Sequence, residues 1–171
     1  MTYGFTGHRP PKLGGYGKEA QQKLYNFAHH TLQQKLKLCD PSVGYIEDEA
    51  IVGMAQGWDM AVASACSILN VPYIAAIPYP GQELVWPDEY TRVLYRSLLG
   101  TAKRVIYVSN STGGNAARAL QLRNQWIVDH SEKIIALWDE VESGGTWNCV
   151  KYAWRQKVEV INVWKDWETF Q

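Results

Sequence analysis

Arg123-Asn124-Gln125-Trp126-Ile127-Val128-Asp129-His130-Ser131, then Ile134-Ile135-Ala136-Leu137, then Gly144-Gly145-Thr146, is the stretch whose reading decides the fold. The first segment reads as a helix bearing an Arg and an Asp, the second as a buried strand, and the third as a turn that feeds a new helix. Two residues without side chains let a group approach the backbone, and the first N–H groups of a helix have no intrahelical acceptor. An anion, and a phosphate above all, suits such a helix start. The order helix, strand, diglycine, helix therefore predicts a nucleotide-phosphate site.

The same alternation of short apolar runs and amphipathic stretches extends in both directions. Strands are expected at Tyr3 to Thr6, Ala50 to Val52, Val71 to Ile77, Arg104 to Val108, Lys133 to Leu137 and Val158 to Val163. Helices are expected at Lys18 to Leu38, Met60 to Leu69, Asp88 to Leu99, Ala116 to Ser131 and Thr146 to Gln156. In the first helix Leu24, Phe27, Ala28, Thr31 and Leu32 fall on one face. Pro78 to Pro87 and Asn110 to Gly114 read as loops. No internal repeat or interdomain linker interrupts residues 1–171, so one Rossmann-like, doubly wound α/β domain with a mostly parallel sheet flanked by helices is expected. In such sheets ligands bind outside the carboxyl ends of the strands.

Composition narrows the partners. The chain is 46% hydrophobic and 20% charged, ordinary for a globular protein with a core. Lys plus Arg and Asp plus Glu number 17 each, giving a formal net charge of zero, so long nucleic acid is an unlikely partner. Cys39, Cys66 and Cys149 lack the short paired spacing of a zinc site and fit a reduced, cytoplasmic setting. His29-His30 has no accompanying ligand cluster, so neither a metal nor a cofactor is expected. The N-terminal residues carry no charged segment followed by an apolar core, and no run approaches the roughly 20 apolar residues of a membrane helix.

The candidate site residues sit in the loops after the strands. Gly7, His8 and Arg9 follow the first, where a backbone turn and Arg9 can hold a phosphate and His8 can donate to it. Gly53, Gly57 and Asp59 follow the second; Asp59 either caps its helix or binds a ribose hydroxyl. Gly144, Gly145 and Thr146 follow the fifth. Arg123 lies about 10 Å into its helix, so it either reaches a ligand across the cleft or makes a structural salt bridge. Asp129 reads as structural. Eight tryptophans invite base stacking: Trp58, Trp86 and Trp147 sit in or beside crevice loops, whereas Trp138, Trp154, Trp164 and Trp167 read as packing or homo-oligomer contacts.

Three of these loops carry a family resemblance over nearly the whole chain. Gly53-Met54-Ala55-Gln56-Gly57-Trp58-Asp59 resembles the glycine-x-alanine-x-glycine-x-aspartate turn of DprA/Smf. Arg123 to Ser131, followed by Ala136-Leu137 and Gly144-Gly145-Thr146, resembles the arginine-helix and glycine-glycine-x-glycine-threonine signature of the Lonely Guy phosphoribohydrolases. Both belong to the SLOG superfamily, and Gly4-Phe5-Thr6-Gly7-His8-Arg9-Pro10 resembles its YpsA-like branch. The resemblance implies a fold that cradles a nucleotide or nucleotide-derived ligand, with enzymes, single-stranded DNA binders and sensors among its branches. One position departs from the hydrolases: Cys149 stands where they carry a catalytic glutamate, and a neutral thiol does not stabilise an oxocarbenium-like state as a carboxylate does. Binding or sensing of a nucleotide-derived small molecule is therefore expected first. The alternatives are N-glycosidic hydrolysis of a nucleoside monophosphate, with Asp59, Glu83 or Asp139 replacing the glutamate, and DprA-like binding of single-stranded DNA.

Overall fold

Every apolar run of the sequence becomes a strand of one parallel sheet, and every amphipathic stretch a helix beside it. The structure, a computed structural model, describes residues 1–38, 42, 48–110 and 114–171. Cys39 and positions 111–113 of the expected loop lie outside the described residues. The strands are β1 (Thr2–Gly7), β2 (Glu49–Val52), β3 (Tyr73–Ile77), β4 (Arg104–Tyr107), β5 (Lys133–Leu137) and β6 (Glu159–Asn162). The helices are α1 (Lys18–Lys35), α2 (Trp58–Leu69), α3 (Glu89–Thr101), α4 (Ala116–Asp129), α5 (Gly144–Arg155) and α6 (Trp164–Thr169).

The six strands run in the order β4-β3-β2-β1-β5-β6, all pairs parallel. The chain winds outward from β1 to β4, then returns through α4 to place β5 on the other side of β1. Side chains alternate across the sheet, as a period of two requires. Tyr3, Phe5, Ala50, Val52, Ala75 and Ile135 meet α1 and α2 on one face. Ile51, Ile74, Ala76 and Ile134 meet Ile127 and Val128 of α4 and Ala153 of α5 on the other. The inner strands are buried on both faces, which is why they read as unbroken apolar runs. Among the described residues no helix is long and apolar enough to cross a membrane.

The expected buried face of α1, Leu24, Phe27, Ala28, Thr31 and Leu32, is the one the structure buries. Most other bounds shift by one or two residues, as at α2, which starts at Trp58 rather than Met60, and α5, which starts at Gly144 rather than Thr146; two differences are larger. α1 stops at Lys35 rather than Leu38, because Leu36 turns extended and buries its side chain while the Lys37 N–H donates to Asp48 Oδ2 at 2.6 Å. The sequence reading missed α6, a short helix seated by Trp167 against Phe27, whose Trp164 N–H is capped by Asn162 Oδ1 at 3.1 Å.

Gly4 explains how α4 comes so close to β1. A Cβ there would strike Ser131 Oγ, Ile134 Cδ1 at 2.6 Å and Ile127 Cγ2 at 2.8 Å. Overpacking of this kind costs about 1–3 kcal/mol. Gly4→Ala is expected to lower the Tm by about 5 °C in calorimetry, given about 2–4 °C per kcal/mol at this size. An unchanged Tm would mean that α4 is not seated on β1 as described.

Candidate functional site

The winding of the sheet reverses between β1 and β5, so the loops leaving their carboxyl ends diverge and open a crevice. A cavity of about 500 Å³ fills it. Of the residues expected from sequence, Gly7, His8, Arg9, Asp59, Arg123, Gly144, Gly145 and Thr146 line this one cavity. A shallower groove of about 370 Å³ continues from it between α4 and α5, sharing Ala117, Gln121 and Asn148 and reaching Lys151 and Arg155.

The start of α5 forms one wall. Gly144 has φ +86°, a left-handed conformation that a side chain would strain, and the space where a Gly145 Cβ would stand is open. Ser143 makes no side-chain cap bond, so the first-turn N–H groups receive no acceptor from their cap. Asn124 Nδ2 donates to the Gly145 carbonyl at 3.2 Å and fixes this turn against α4. Arg9 stands exposed at the rim.

Beneath lies a buried ion pair. Arg123 reaches from α4 to donate through Nη1 to the Gly53 carbonyl and through Nε to Asn124 Oδ1 at 3.0 Å, with Nη1 3.8 Å from Asp59 Oδ2. A Cβ at Gly53 would overlap the guanidinium. Met54, at φ +60°, turns the chain so that the Ala55 N–H donates to Asp59 Oδ2 at 3.3 Å. Burial pushes the Asp59 carboxyl above its usual range against the opposing pull of Arg123 and the Ala55 N–H. Burial likewise lowers Arg123, countered by Asp59, yet a guanidinium stays charged.

The third wall is the loop after β1. The Gly57 Cα meets it closely: a Cβ would stand 2.6 Å from the His8 carbonyl, which accepts from the Trp58 N–H at 3.2 Å. The His8 ring packs edge-on to Trp164, and its Nε2 accepts from the Asp139 N–H at 3.1 Å and lies 2.8 Å from Asp139 Oδ1. Lys12 Nζ holds Asp139 Oδ2 at 2.7 Å. Burial lowers the His8 pKa more than Asp139 raises it.

Several expected residues stand elsewhere. Trp58 is the first residue of α2 and faces inward, wholly buried against Phe5 and Phe27, with Gly7 lacking the Cβ that its indole would strike. Trp86 packs edge-on to Tyr95, and Trp147 stacks on Trp138 at 5.4 Å with Trp154 against both. The cavity lining contains none of these three candidate stacking rings. Gly53 and Gly57 lie behind the lining and shape it through Arg123 and His8. Of the three carboxylates named as glutamate replacements only Asp59 lines the cavity: Glu83 is buried 3.4 Å from Arg96, and Asp139 is engaged by His8 and Lys12. Cys149 is buried out of the cavity lining, its thiol pushed up to about 11 by burial. Asp129 accepts from the Tyr152 hydroxyl at 3.0 Å, a structural role. Sequence reasoning missed Asn124 and Lys12 as site residues; adjacency to Arg123 and to the β1 loop was the available signal.

With this geometry, residues 3–162 match the family model of the YspA SLOG family. The chain belongs to that family. It is 31% identical to the uncharacterized SPbeta prophage-derived protein YoqJ of Bacillus subtilis (strain 168), a match covering 69% of this chain and 81% of YoqJ. The fold is similar to the X-ray structure of TM1055, a structural-genomics target, at 10% identity and a TM-score of 0.56 over 93% of this chain and 71% of that one. It is also similar to DNA processing protein A from Helicobacter pylori, described for its single-stranded DNA binding mode, at 12% identity and a TM-score of 0.58 over 94% of this chain. The match spans 63% of that longer protein. At these identities the two structures establish the Rossmann-like fold and no more.

Removing one partner of a buried ion pair typically costs about 3–5 kcal/mol, whereas replacing both by apolar residues costs much less. Arg123→Met is therefore expected to lose about that much in urea unfolding at neutral pH, and Arg123→Met with Asp59→Leu to recover most of it. A double variant no more stable than the single one would show that the two charges are not coupled.

Proposed function

We propose that the cavity at the β1/β5 crevice binds a nucleotide or nucleotide-derived small molecule, in a cytoplasmic binding or sensing protein built on one domain. The observation that carries this reading is convergence. The uncapped, glycine-opened start of α5, the Gly7-His8-Arg9 loop and the Arg123–Asp59 pair meet in one cavity of about 500 Å³, although they are far apart in sequence. That volume falls within the range of small-molecule sites, about 300–1,000 Å³. The phosphate sits on the first turn of α5, with Arg9 at the rim and the charge of Arg123 below. The nucleoside extends over the apolar lining supplied by Phe5, Pro11 and Leu120. Binding is favoured over hydrolysis because the hydrolases' glutamate position is the buried thiol of Cys149.

Mass spectrometry of small molecules released from the purified, denatured protein, followed by calorimetric titration with AMP, GMP, CMP and UMP, tests the reading. Gly145→Asp is expected to abolish nucleotide binding and leave the fold intact. Its side chain enters open space, where its carboxylate repels a phosphate. A folded variant that binds as before would remove the α5 turn from the site.

Affinity for single-stranded DNA is expected to be weak at physiological salt. Lys12, Arg92, Arg96, Lys103 and Lys133 are each engaged by a carboxylate, and the formal net charge is zero, so the protein carries no excess of cations to neutralise phosphates. Each neutralised phosphate adds about 0.7 to the salt slope on single strands. Fluorescence anisotropy with a labelled oligonucleotide should therefore give a shallow slope. Tight binding with a steep one would place DNA, rather than a small molecule, in the groove that runs to Lys151 and Arg155.

A further inference from the structure

The groove between α4 and α5 is built from two stripes that the helical repeat lines up. Ala117, Gln121 and Gln125 stand four residues apart on α4, and Asn148, Lys151 and Arg155 three and four apart on α5, so each set shares one face of its helix. Both helices connect strands of the parallel sheet and run back against them, so both begin at the carboxyl ends of the strands, where the cavity lies. The stripes therefore start at the cavity and lead away from it for about 10–12 Å, at a rise of about 1.5 Å per residue.

Ala117, Gln121 and Asn148 line both spaces, which makes the groove of about 370 Å³ an arm of the cavity. The Gly144-Gly145 turn that opens α5 comes just before Asn148 on the same helix. A phosphate on the first turn of α5 thus sits where cavity and arm meet.

The lining of the arm is polar and uncommitted. Among the described residues the amides of Gln121, Gln125 and Asn148 make no hydrogen bond, and Arg155 makes no ion pair. Lys151 has only the ring of Trp147, with its Nζ 5.9 Å from the centroid. Asp129 touches the lining through the Tyr152 hydroxyl, which donates to it at 3.0 Å. Elsewhere Lys12, Arg92, Arg96, Lys103 and Lys133 each meet a carboxylate. A chain of zero net charge therefore keeps two cations without carboxylate partners at the far end of a channel whose near end is an uncapped helix start. A mononucleotide with its nucleoside over Phe5, Pro11 and Leu120 leaves that channel to solvent. Amides both donate and accept, as the edges of a base or a sugar require, and a guanidinium beside an ammonium suits a phosphate.

We propose that the ligand is a dinucleotide: the phosphate joining its two nucleosides occupies the first turn of α5, one nucleoside lies in the cavity, the other lies in the arm, and a terminal phosphate on the second meets Lys151 and Arg155. This rests on the nucleotide reading of the cavity and deepens it by naming the class of ligand. Gln125, Lys151 and Arg155, which line the arm alone, are then specificity-determining residues that separate a dinucleotide from a mononucleotide.

Calorimetric titration with AMP, GMP, CMP and UMP, and with the matching dinucleotides that carry a terminal 5′- or 3′-phosphate beyond the linking one, tests the proposal. One of the two phosphorylated dinucleotides is expected to bind about tenfold tighter than its mononucleotide, since each exposed charge contact contributes up to about fivefold and two are engaged. Both cations are exposed, so the gain should shrink as salt rises. Lys151→Gln combined with Arg155→Gln removes the charges, and Gln125→Trp separately fills the arm without entering the cavity lining. Each should erase the gain while mononucleotide affinity stays, with melting curves checking that the variants are folded. A dinucleotide that binds where no mononucleotide does also supports the proposal. Equal affinity for mononucleotides and dinucleotides, or a gain that both variants retain, overturns it. Affinity that climbs further with a single-stranded hexanucleotide and falls in both variants overturns it as well, because the arm is then part of a strand track. Mononucleotide binding with no gain for dinucleotides leaves the reading of the cavity standing and removes only the arm. If neither kind binds wild-type protein, the nucleotide reading fails and takes the dinucleotide with it.

Discussion

The guanidinium of Arg123 is the group around which the site is assembled. It starts on α4, beneath one face of the sheet, and crosses the carboxyl ends of the strands to the Gly53 carbonyl at the end of β2 and toward Asp59 of α2 on the opposite face. Removing a charge from water is expensive, and a buried pair is seldom the most stable solution for a core. Its placement makes sense as an electrostatic one: a fixed cation below a cavity whose wall is a helix start adds to the same positive potential where solvent screening is weak. Gly53 is the sequence's concession to it, since a side chain there would occupy the space of the guanidinium.

Two helices begin at this end of the sheet with glycine turns, and they use their free N–H groups differently. At α2 the Trp58 N–H is taken by the His8 carbonyl, while the turn before it folds back onto Asp59 through the Ala55 N–H. That start is consumed in joining the β1 and β2 loops. At α5 the cap supplies no acceptor, and the bond to the turn from Asn124 reaches a carbonyl rather than an N–H. Donors are thus left open toward the cavity at one helix and sealed at the other. The asymmetry gives the cavity a direction, which two equivalent anion sites would not.

The order of elements was legible because a parallel sheet covered on both faces must be written in apolar runs, and Ile134-Ile135-Ala136-Leu137 is such a run. The α5 turn was legible for a similarly local reason, since Gly144 and Gly145 change what the backbone itself can do. The tryptophans were not. Whether Trp58 faces a ligand or the core depends on the rotational phase of α2 against β1, and a loop position says nothing about that phase. The short α6 also escaped notice, because its stability comes from Trp167 meeting Phe27 of a distant helix rather than from its own six residues. The pairing of His8 with Asp139 joins positions 131 residues apart, which only the adjacency of β1 and β5 brings together.

That adjacency gives the cavity two chemically distinct ends. Donors dominate near α5 and Arg9, where backbone N–H groups and a guanidinium face the space. Near the β1 loop, the His8 ring and the carboxyl oxygens of Asp59, which accept, line the space. Between them the lining from Phe5, Pro11 and Leu120 offers no charge. A simple anion satisfies only the first end and leaves the acceptors without donors, which costs the hydration they lose on closure. On the proposed reading, the molecule that satisfies both ends carries its negative charge at one extremity and hydroxyl donors a few bonds away. A nucleoside phosphate has that arrangement, and the fixed separation of its phosphate from its ribose hydroxyls turns the fold's strand order into a criterion for what can bind.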